Sequence, residues 1–365
     1  MKILLYGSAF DPIHDGHLSM LEHAQSELEI DDVILLPTKN PRWKSTSTPV
    51  EHRLAMVECA IQGKKNWMIS RWEIDSPSFI QFSIDTIRYY KERYPNDTLY
   101  YLIGADQVEQ FHRWKEAETI AQLVTLVAYP RPLSNLQHAN YDVFSIQRLH
   151  GPMLDAASRF IRDLKQLQTP LSVIEYILEH DLYFTKTLKA YYSEKRFAHV
   201  LSTARVAYRI AKANNLRPDL AFQAAILHDM AKDVDDEVAL SLIEQYETDP
   251  GPFDPYVLHQ YAGAILARNE FHIEEPSVLE AIRYHTTGKA AMGPLAQIVY
   301  AADKIEPLRG YNSQPLINAC ITNIETGFKQ VLEENIRFVK QKNYKMNHPL
   351  VQACVHYYLG EHNET

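Results

Sequence analysis

The period of the hydrophobic pattern changes near residue 186, and that change limits the chain to a two-part fold. Before it, short apolar runs alternate with helical stretches. Residues 3–6, 33–36, 67–70, 99–103 and 124–128 read as buried strands, while 18–28, 50–61, 84–93 and 108–122 carry helical spacing. Such alternation predicts a parallel sheet covered on both faces, with right-handed crossovers. Ligands of such sheets sit beyond the carboxyl ends of the strands, where Gly7, Pro37, Gly104 and Pro130 fall. Residues 129–151 are weakly patterned, with a candidate strand at 141–144, and 157–167 and 171–180 read as two short helices. After Tyr183-Phe184 the strand signal ends, and 188–359 reads as helix nearly throughout. Phe197, Val200, Leu201, Ala204, Ala207 and Ile210 form one apolar stripe. Asp254-Pro255, Pro276-Ser277 and Gly293-Pro294 predict helix starts, because proline suits the first turn. The expected organisation is a Rossmann-like α/β parallel-sheet domain over residues 1–185 and an all-α domain over 186–365.

The formal net charge of -9 argues against a general electrostatic grip on nucleic acid. A polyanionic substrate must instead meet local cations or metal ions. Cys59, Cys320 and Cys354 are far apart, which excludes a zinc ribbon and a disulfide framework and fits a reducing compartment. The opening apolar run is too short for a signal peptide, and no stretch approaches the ~20 apolar residues of a membrane span. The expected location is the cytoplasm, with no membrane partner.

Two clusters carry chemistry. The first is Gly7-Ser8-Ala9-Phe10-Asp11-Pro12-Ile13-His14-Asp15-Gly16-His17. Gly7 lets the backbone turn closely around a ligand. His14 and His17 are three apart at a helix entry, where free N–H groups and partial positive charge suit phosphate. Imidazoles there can donate to phosphoryl oxygens as charge develops during transfer. Neither a GxxxxGK[ST] loop nor a GxGxxG is present, so P-loop transfer and dehydrogenase-type dinucleotide binding are not indicated.

The longer string resembles the nucleotidylyltransferase signature, specifically the bacterial nicotinate-nucleotide adenylyltransferases (NadD family). The resemblance continues through Asn40-Pro41-Arg42-Trp43-Lys44, Glu73 with Phe82-Ser83-Ile84-Asp85-Thr86, Leu102-Ile103-Gly104-Ala105-Asp106 with Trp114, Arg131, and Ser158-Arg159-Phe160-Ile161-Arg162. It covers about residues 1–184. It implies adenylyl transfer from ATP, with Mg²⁺, to nicotinate mononucleotide. His14 and His17 would contact ATP phosphates, and Lys44 and Arg162 would hold the triphosphate. Gly104 and Asp106 would hold the adenosine, and Ser158 would cap a phosphate. Gly7, Ser8, Phe10 and Arg131 would complete the nucleotide site, and Thr86 and Trp114 would face the nicotinate nucleotide. Ser8-Ala9, Trp43 and Arg159 depart from the family pattern.

The second cluster is His199, His228-Asp229, His259, His285 and Asp303, each in a stretch that reads as helix. Burying Asp229 and His228 inside the apolar run 224–231 is costly without a partner such as a metal. Adjacent helical residues point about 100° apart, so the pair could grip one metal, or Asp229 could bridge two. Nitrogen and oxygen ligands without thiolate leave iron, manganese or zinc open. Lys232, Arg283 and Lys304 are candidates to neutralise a polyphosphate, and Glu306 is either a support for a ligand or a simple helix end.

The complete set resembles the HD-domain metallohydrolases, most closely the YqeK-type proteins, over about residues 188–320. That resemblance implies symmetrical hydrolysis of diadenosine tetraphosphate to two ADP at one or two metal ions, with iron expected first. His199, His228, Asp229 and Asp303 would hold one metal, and Asp229, His259 and His285 the second. The joint expectation is a fusion of the two enzymes. The alternatives are another acceptor for the first domain, such as pantetheine phosphate or glycerol phosphate, and for the second a nucleotidase, a cyclic-nucleotide phosphodiesterase or a vestigial regulatory module.

Overall fold

The computed structural model describes residues 1–39, 48–77, 82–132, 134–246, 254–342 and 347–360. Cα proximity divides the chain into two units. One comprises Met1–Arg162 and Gln168–Leu182, the other Asp163–Leu167 and Tyr183–Thr365.

The first unit runs β1 (Lys2–Ser8), α1 (Asp15–Leu28), β2 (Asp32–Pro37), α2 (Val50–Ile61), β3 (Trp67–Ile69), α3 (Trp72–Asp75), α4 (Ser83–Arg93), β4 (Thr98–Gly104), α5 (Ala105–Val108), α6 (Ala117–Leu123), β5 (Thr125–Tyr129), α7 (Asn140–Val143), β6 (Gln147–Arg148), α8 (Ser158–Arg162) and α9 (Leu171–Glu179). The strands form one sheet in the order β3-β2-β1-β4-β5-β6, and every pairing is parallel. Side chains alternate across the sheet. Ile3, Leu5, Ile34, Leu36, Tyr101 and Ile103 pack on one face with Ile84, Ile87 and Tyr90 of α4. Leu4, Val33, Leu35, Leu102 and Val127 are buried on the other. Strand order reverses between β1 and β4, so the crevice for a ligand lies beyond Ser8 and Gly104.

Three expected elements differ. The candidate strand at 141–144 is helical: Asn140 donates from Nδ2 to the Val108 carbonyl at 2.7 Å and anchors a single turn. The strand comes later, at Gln147–Arg148. The helix expected over 108–122 breaks into α5, a 3-10 turn at Phe111–Arg113 and α6. Trp114 is extended and Glu116 has φ 55, yet Val108, Phe111 and Ile120 still reach one core, so the apolar spacing looks continuous. The helix expected over 157–167 stops at Arg162; Leu164 has φ 56, and Gln223 Nε2 donates to the carbonyls of Leu164 and Lys165.

The second unit runs α10 (Thr185–Lys189), α11 (Glu194–Ala213), α12 (Pro218–Leu227), α13 (Asp236–Tyr246), α14 (Leu258–Phe271), α15 (Pro276–Arg283), α16 (Pro294–Ile305), α17 (Gln314–Thr322), α18 (Ile324–Gln341) and α19 (Pro349–Leu359). Pro218, Pro276 and Pro294 each open a helix, and Pro255 opens a 3-10 turn before α14. Ala221, Phe222 and Ala224 to Leu227 are buried on every side of α12, as expected of a helix enclosed by others. Its neighbours are α11, α15 and α16.

Candidate active sites

In the first unit the loop from Ala9 to His14 is held by its carbonyls. Arg53 Nη1 donates to the Ala9 carbonyl at 2.6 Å, Arg162 Nη1 to the Asp11 carbonyl at 2.6 Å, Ser158 Oγ to the Pro12 carbonyl at 2.9 Å and Thr169 Oγ1 to the Ile13 carbonyl at 2.9 Å. The loop enters α1 at His14, whose backbone N–H donates to His17 Nδ1 at 3.3 Å. The two imidazoles stack with centroids 3.7 Å apart, and each is 5% exposed. Phe10, with φ 48, sets its ring edge-on to His17 at 5.3 Å. Ser8 Oγ lies 3.5 Å from His17 Nε2, which orients the ring that caps the β1 crevice.

At the neighbouring strand end, Arg131 Nε lies 3.4 Å from Asp106 across Gly104. A Cβ at Gly104 would collide with both side chains, so glycine is required for the pair to close over the backbone. Burial raises the Tyr6 phenol, and the nearby Arg131 charge opposes this in part. Trp114 is half-buried, against Phe111 at 5.2 Å and edge-on to Tyr101 at 6.3 Å. Thr86 differs from expectation. It is fully buried and donates from Oγ1 to Glu73 at 2.7 Å, so its hydroxyl supports Glu73 instead of facing a ligand. Burial raises the Glu73 carboxyl, with the Thr86 bond opposing it. Ser158 and Arg162 both hold the loop, so any phosphate contact from Arg162 must use its other N–H groups. Lys44 and Trp43 lie outside the described residues.

Arg53 was not singled out from the sequence. It is 1% exposed and donates to the carbonyls of Ala9, Thr38, Lys39 and Thr48, thereby joining the loops after β1 and β2. A signal was available: Arg53 shares the buried helical face with Met56 and Val57, at i+3 and i+4, where an unpaired cation would be costly.

In the second unit all six expected ligands converge. His199, His228 and Asp229 offer atoms within 4.8 Å of one another, and so do Asp229, His259 and His285. Asp229 divides its oxygens between the sets. Oδ2 is 3.7 Å from His228 Nε2 and 3.9 Å from His199 Nε2, while Oδ1 is 3.4 Å from His285 Nε2 and 3.8 Å from His259 Nε2. Asp303 Oδ1 joins the first set, 3.2 Å from His199 and 3.6 Å from His228. Of the two readings of the His228-Asp229 pair, this geometry favours a bridge.

The local structure differs from a helical run. His228-Asp229 and His285 stand just past the ends of α12 and α15, in turns. Helix ends leave carbonyls without partners. His228 Nδ1 donates to the Ala225 carbonyl at 2.6 Å, and His285 Nδ1 to Ile282 at 2.7 Å. His199 Nδ1 lies 3.0 Å from Glu306, which is 1% exposed and also accepts from the Leu308 N–H. In all three rings Nδ1 is engaged and Nε2 faces the centre as a lone-pair donor, the form a metal needs.

Burial by itself would raise the carboxyl groups of Asp229 and Asp303. Facing His228 and His285 for the first, and Lys304, His199 and His228 for the second, hold both well below the ordinary range. Lys304 donates to Asp303 at 2.8 Å, and Lys232 Nζ lies 3.1 Å from His259 Nε2. Arg283 is placed elsewhere, over the rings of Tyr261 and Tyr284. Three neighbours had no assigned role: Arg196, 3.0 Å from Asp229; Arg309, bonded to Asp303; and Thr286, whose Oγ1 lies 2.9 Å from His259 and 3.0 Å from His285.

The site fits a metal. His228 Nε2 is fully enclosed and has no hydrogen-bond partner, a costly position for a polar atom that a metal would satisfy. The donor set is imidazole and carboxylate only, which suits a divalent cation of intermediate hardness.

A cytidylyltransferase-like family model matches residues 5–205, and an HD domain model matches residues 196–308. A Mycoplasma genitalium protein, described as a probable nicotinate-nucleotide adenylyltransferase/Ap4A hydrolase, is 33% identical over 84% of this chain and 88% of its own. A Mycoplasma pneumoniae protein of the same description is 28% identical over 93% of this chain and 100% of its own. Among solved structures, a predicted HD superfamily hydrolase involved in NAD metabolism, from Clostridium acetobutylicum, is 30% identical over 48% of this chain and 95% of its own, with a TM-score of 0.45. The chain belongs to the family of these mycoplasma relatives, in which a cytidylyltransferase-like region is joined to an HD domain. Among the described residues no helix is long and apolar enough to cross a membrane.

Proposed function

We propose that the chain is a bifunctional enzyme. The first unit transfers the adenylyl group of ATP, with Mg²⁺, to nicotinate mononucleotide and releases pyrophosphate and deamido-NAD. The second hydrolyses diadenosine tetraphosphate symmetrically to two ADP. Two relatives spanning most of the chain carry both names, which supports the pairing. The observation that carries the hydrolase half is Asp229, with one oxygen toward each histidine pair.

In the first unit His17 and His14 donate to the phosphates at the start of α1. Arg162 and Ser158 hold the loop that presents them, and Asp106, Arg131 and Gly104 shape the nucleoside end of the crevice. Lys44 supplies a further cation to the triphosphate, and Trp114 offers a ring face to the nicotinate nucleotide. In the second unit His199, His228, Asp229 and Asp303 hold one metal, and Asp229, His259 and His285 the other. Iron is the leading candidate, with manganese and zinc as alternatives. Metal held by these residues would polarise the phosphoryl oxygens and supply an activated water. Lys232, Lys304, Arg196 and Arg309 orient the carboxylates and offset charge on the polyphosphate.

The test uses the full chain. Wild type is expected to carry metal, form deamido-NAD, and release ADP alone from diadenosine tetraphosphate. His17→Ala should lose the transferase and keep the hydrolase; His228→Ala should lose metal and the hydrolase only. A metal-loaded wild type inert toward diadenosine tetraphosphate would overturn the hydrolase half.

A further inference from the structure

His259 lies on α14 and His285 just past α15, yet their Nε2 atoms stand 3.2 Å apart. Both atoms also meet Thr286 Oγ1, at 2.9 and 3.0 Å. A metal that takes the two Nε2 lone pairs would replace those contacts, so something else must hold the gap. His285 Nδ1 is tied to Ile282, within its own segment, and Lys304 Nζ donates to the His285 carbonyl from α16 at 2.8 Å. Neither bond reaches α14.

Gln260 makes that link. It follows His259 on α14, and adjacent helical residues point about 100° apart, so one helix gives His259 to the centre and Gln260 to the turn after α15. Thr287 stands two residues past His285 in that turn. Its backbone N–H donates to Gln260 Oε1 at 3.3 Å, and Gln260 Nε2 donates to Thr287 Oγ1 at 3.2 Å. A backbone N–H can only donate, which sets the direction of the amide. The Thr287 hydroxyl gives its own proton to the Gly288 carbonyl at 2.9 Å. Gln260 and Thr287 are both buried. A buried amide is costly unless its donor and acceptor are paired, and here both are spent on one residue of the turn. The clamp uses no ligand atom.

We propose that Gln260 is a positioning residue of the metal centre: its amide locks the turn after α15 onto α14 and so fixes the spacing of His259 and His285 as a ligand pair. The proposal rests on the two-metal reading of the site. The other ligand set does not depend on this clamp, because His199 lies on α11, His228 just past α12 and Asp303 on α16. The two sets are therefore separable: loosening the clamp acts on one metal and spares the other.

The test titrates the chelator-treated full chain with manganese(II), followed by calorimetry and by the electron paramagnetic resonance of an exchange-coupled pair. Wild type is expected to bind two ions in two steps, the second giving the coupled signal. Gln260→Met, similar in shape but without the amide, should weaken the second step about 10- to 100-fold, lose the coupled signal and leave the first step unchanged. The first step thus reports that the unit is folded. Thr287→Val should also weaken the second step alone, whereas Thr287→Ser, which keeps the hydroxyl, should match wild type; this pair decides the matter if Gln260→Met loses both steps. A second step unchanged in Gln260→Met or Thr287→Val, or weakened in Thr287→Val no more than the first, overturns the assignment, as does a wild type that binds a single ion. Selective loss of the second ion in Gln260→Met, from a wild type that hydrolyses no diadenosine tetraphosphate, supports the clamp and overturns the hydrolase reading.

Discussion

His228 and His285 are held by the same device. Each stands just past a helix end and donates from Nδ1 to the carbonyl three residues earlier, and the two rings meet edge to face with centroids 4.7 Å apart. A helix end has carbonyls to spare, so the backbone itself sets the tautomer and aims both Nε2 atoms at Asp229. His199 reaches the same state through a carboxylate, Glu306.

That difference makes Glu306 the most accessible test of the support around the ligands. Glu306→Gln keeps the shape but removes the negative charge that strengthens His199 as a donor. Metal affinity should weaken by about 10- to 100-fold with the fold retained. Titration of the metal-free protein, followed by calorimetry, checks this; unchanged affinity would reduce Glu306 to a helix cap for Leu308.

Acid should destabilise the helical unit when metal is removed. Burial lowers the imidazoles of His259, to about 2, and of His285, whereas both titrate near 6.5 when unfolded. A lowered folded value stabilises above the unfolded value, and the gain is lost as pH falls below it. His228 acts in the opposite sense: burial pulls it down, but Asp229 and Asp303 outweigh this and raise it, so its contribution is largest below 6.5. Two groups against one give a falling melting temperature from about pH 7.5 to about pH 5.5. Circular dichroism of chelator-treated protein measures it, and a rise toward acid would contradict the assignment.

Arg53 should be indispensable to the first unit. Arg53→Met leaves the carbonyls of Ala9, Thr38, Lys39 and Thr48 without their buried donor. Losses of ~1–3 kcal/mol per unsatisfied group predict a large drop in the melting temperature of that unit and no adenylyl transfer, while hydrolysis persists. Retained transferase activity would show that the loop holds itself.

Gly288 ends the turn that carries His285 and Thr286. It has φ 65, and a Cβ there would stand 2.6 Å from Cys354 Sγ of α19. Gly288→Ala should cost ~1–3 kcal/mol and weaken metal binding at the His259–His285 side. Adding Cys354→Ala should restore part of that, with the remainder due to backbone strain. Metal stoichiometry by mass spectrometry of both variants decides it; no rescue would mean that α19 does not bear on the turn.

Much of this organisation was legible in the chain. Short apolar runs and the 3.6-residue period are local signals, and they located five of the six strands among the described residues and the change to helices. Burial cost in an apolar run singled out His228 and Asp229, whereas His199, His259, His285 and Asp303 were named as candidate ligands through the resemblance to the HD-domain pattern. Thr86 was expected to face a ligand because a hydroxyl thirteen residues from a carboxylate, on a different helix, gives no hint that the two will meet. Arg53 was passed over because a charged residue on a helix is usually solvated, although its place beside Met56 and Val57 contained the clue.

Residue type and spacing alone determined which side chains could serve as ligands, which loops could cradle phosphate, and where one architecture gives way to another, because these follow from backbone periodicity and donor chemistry. Tertiary structure decided what each side chain does with its second partner. It placed Asp229 between two histidine pairs, committed Ser158 and Arg162 to loop carbonyls, and turned Arg283 onto an aromatic wall. Those outcomes depend on hydrogen bonds and close packing between residues distant in the chain, and no local pattern encodes them.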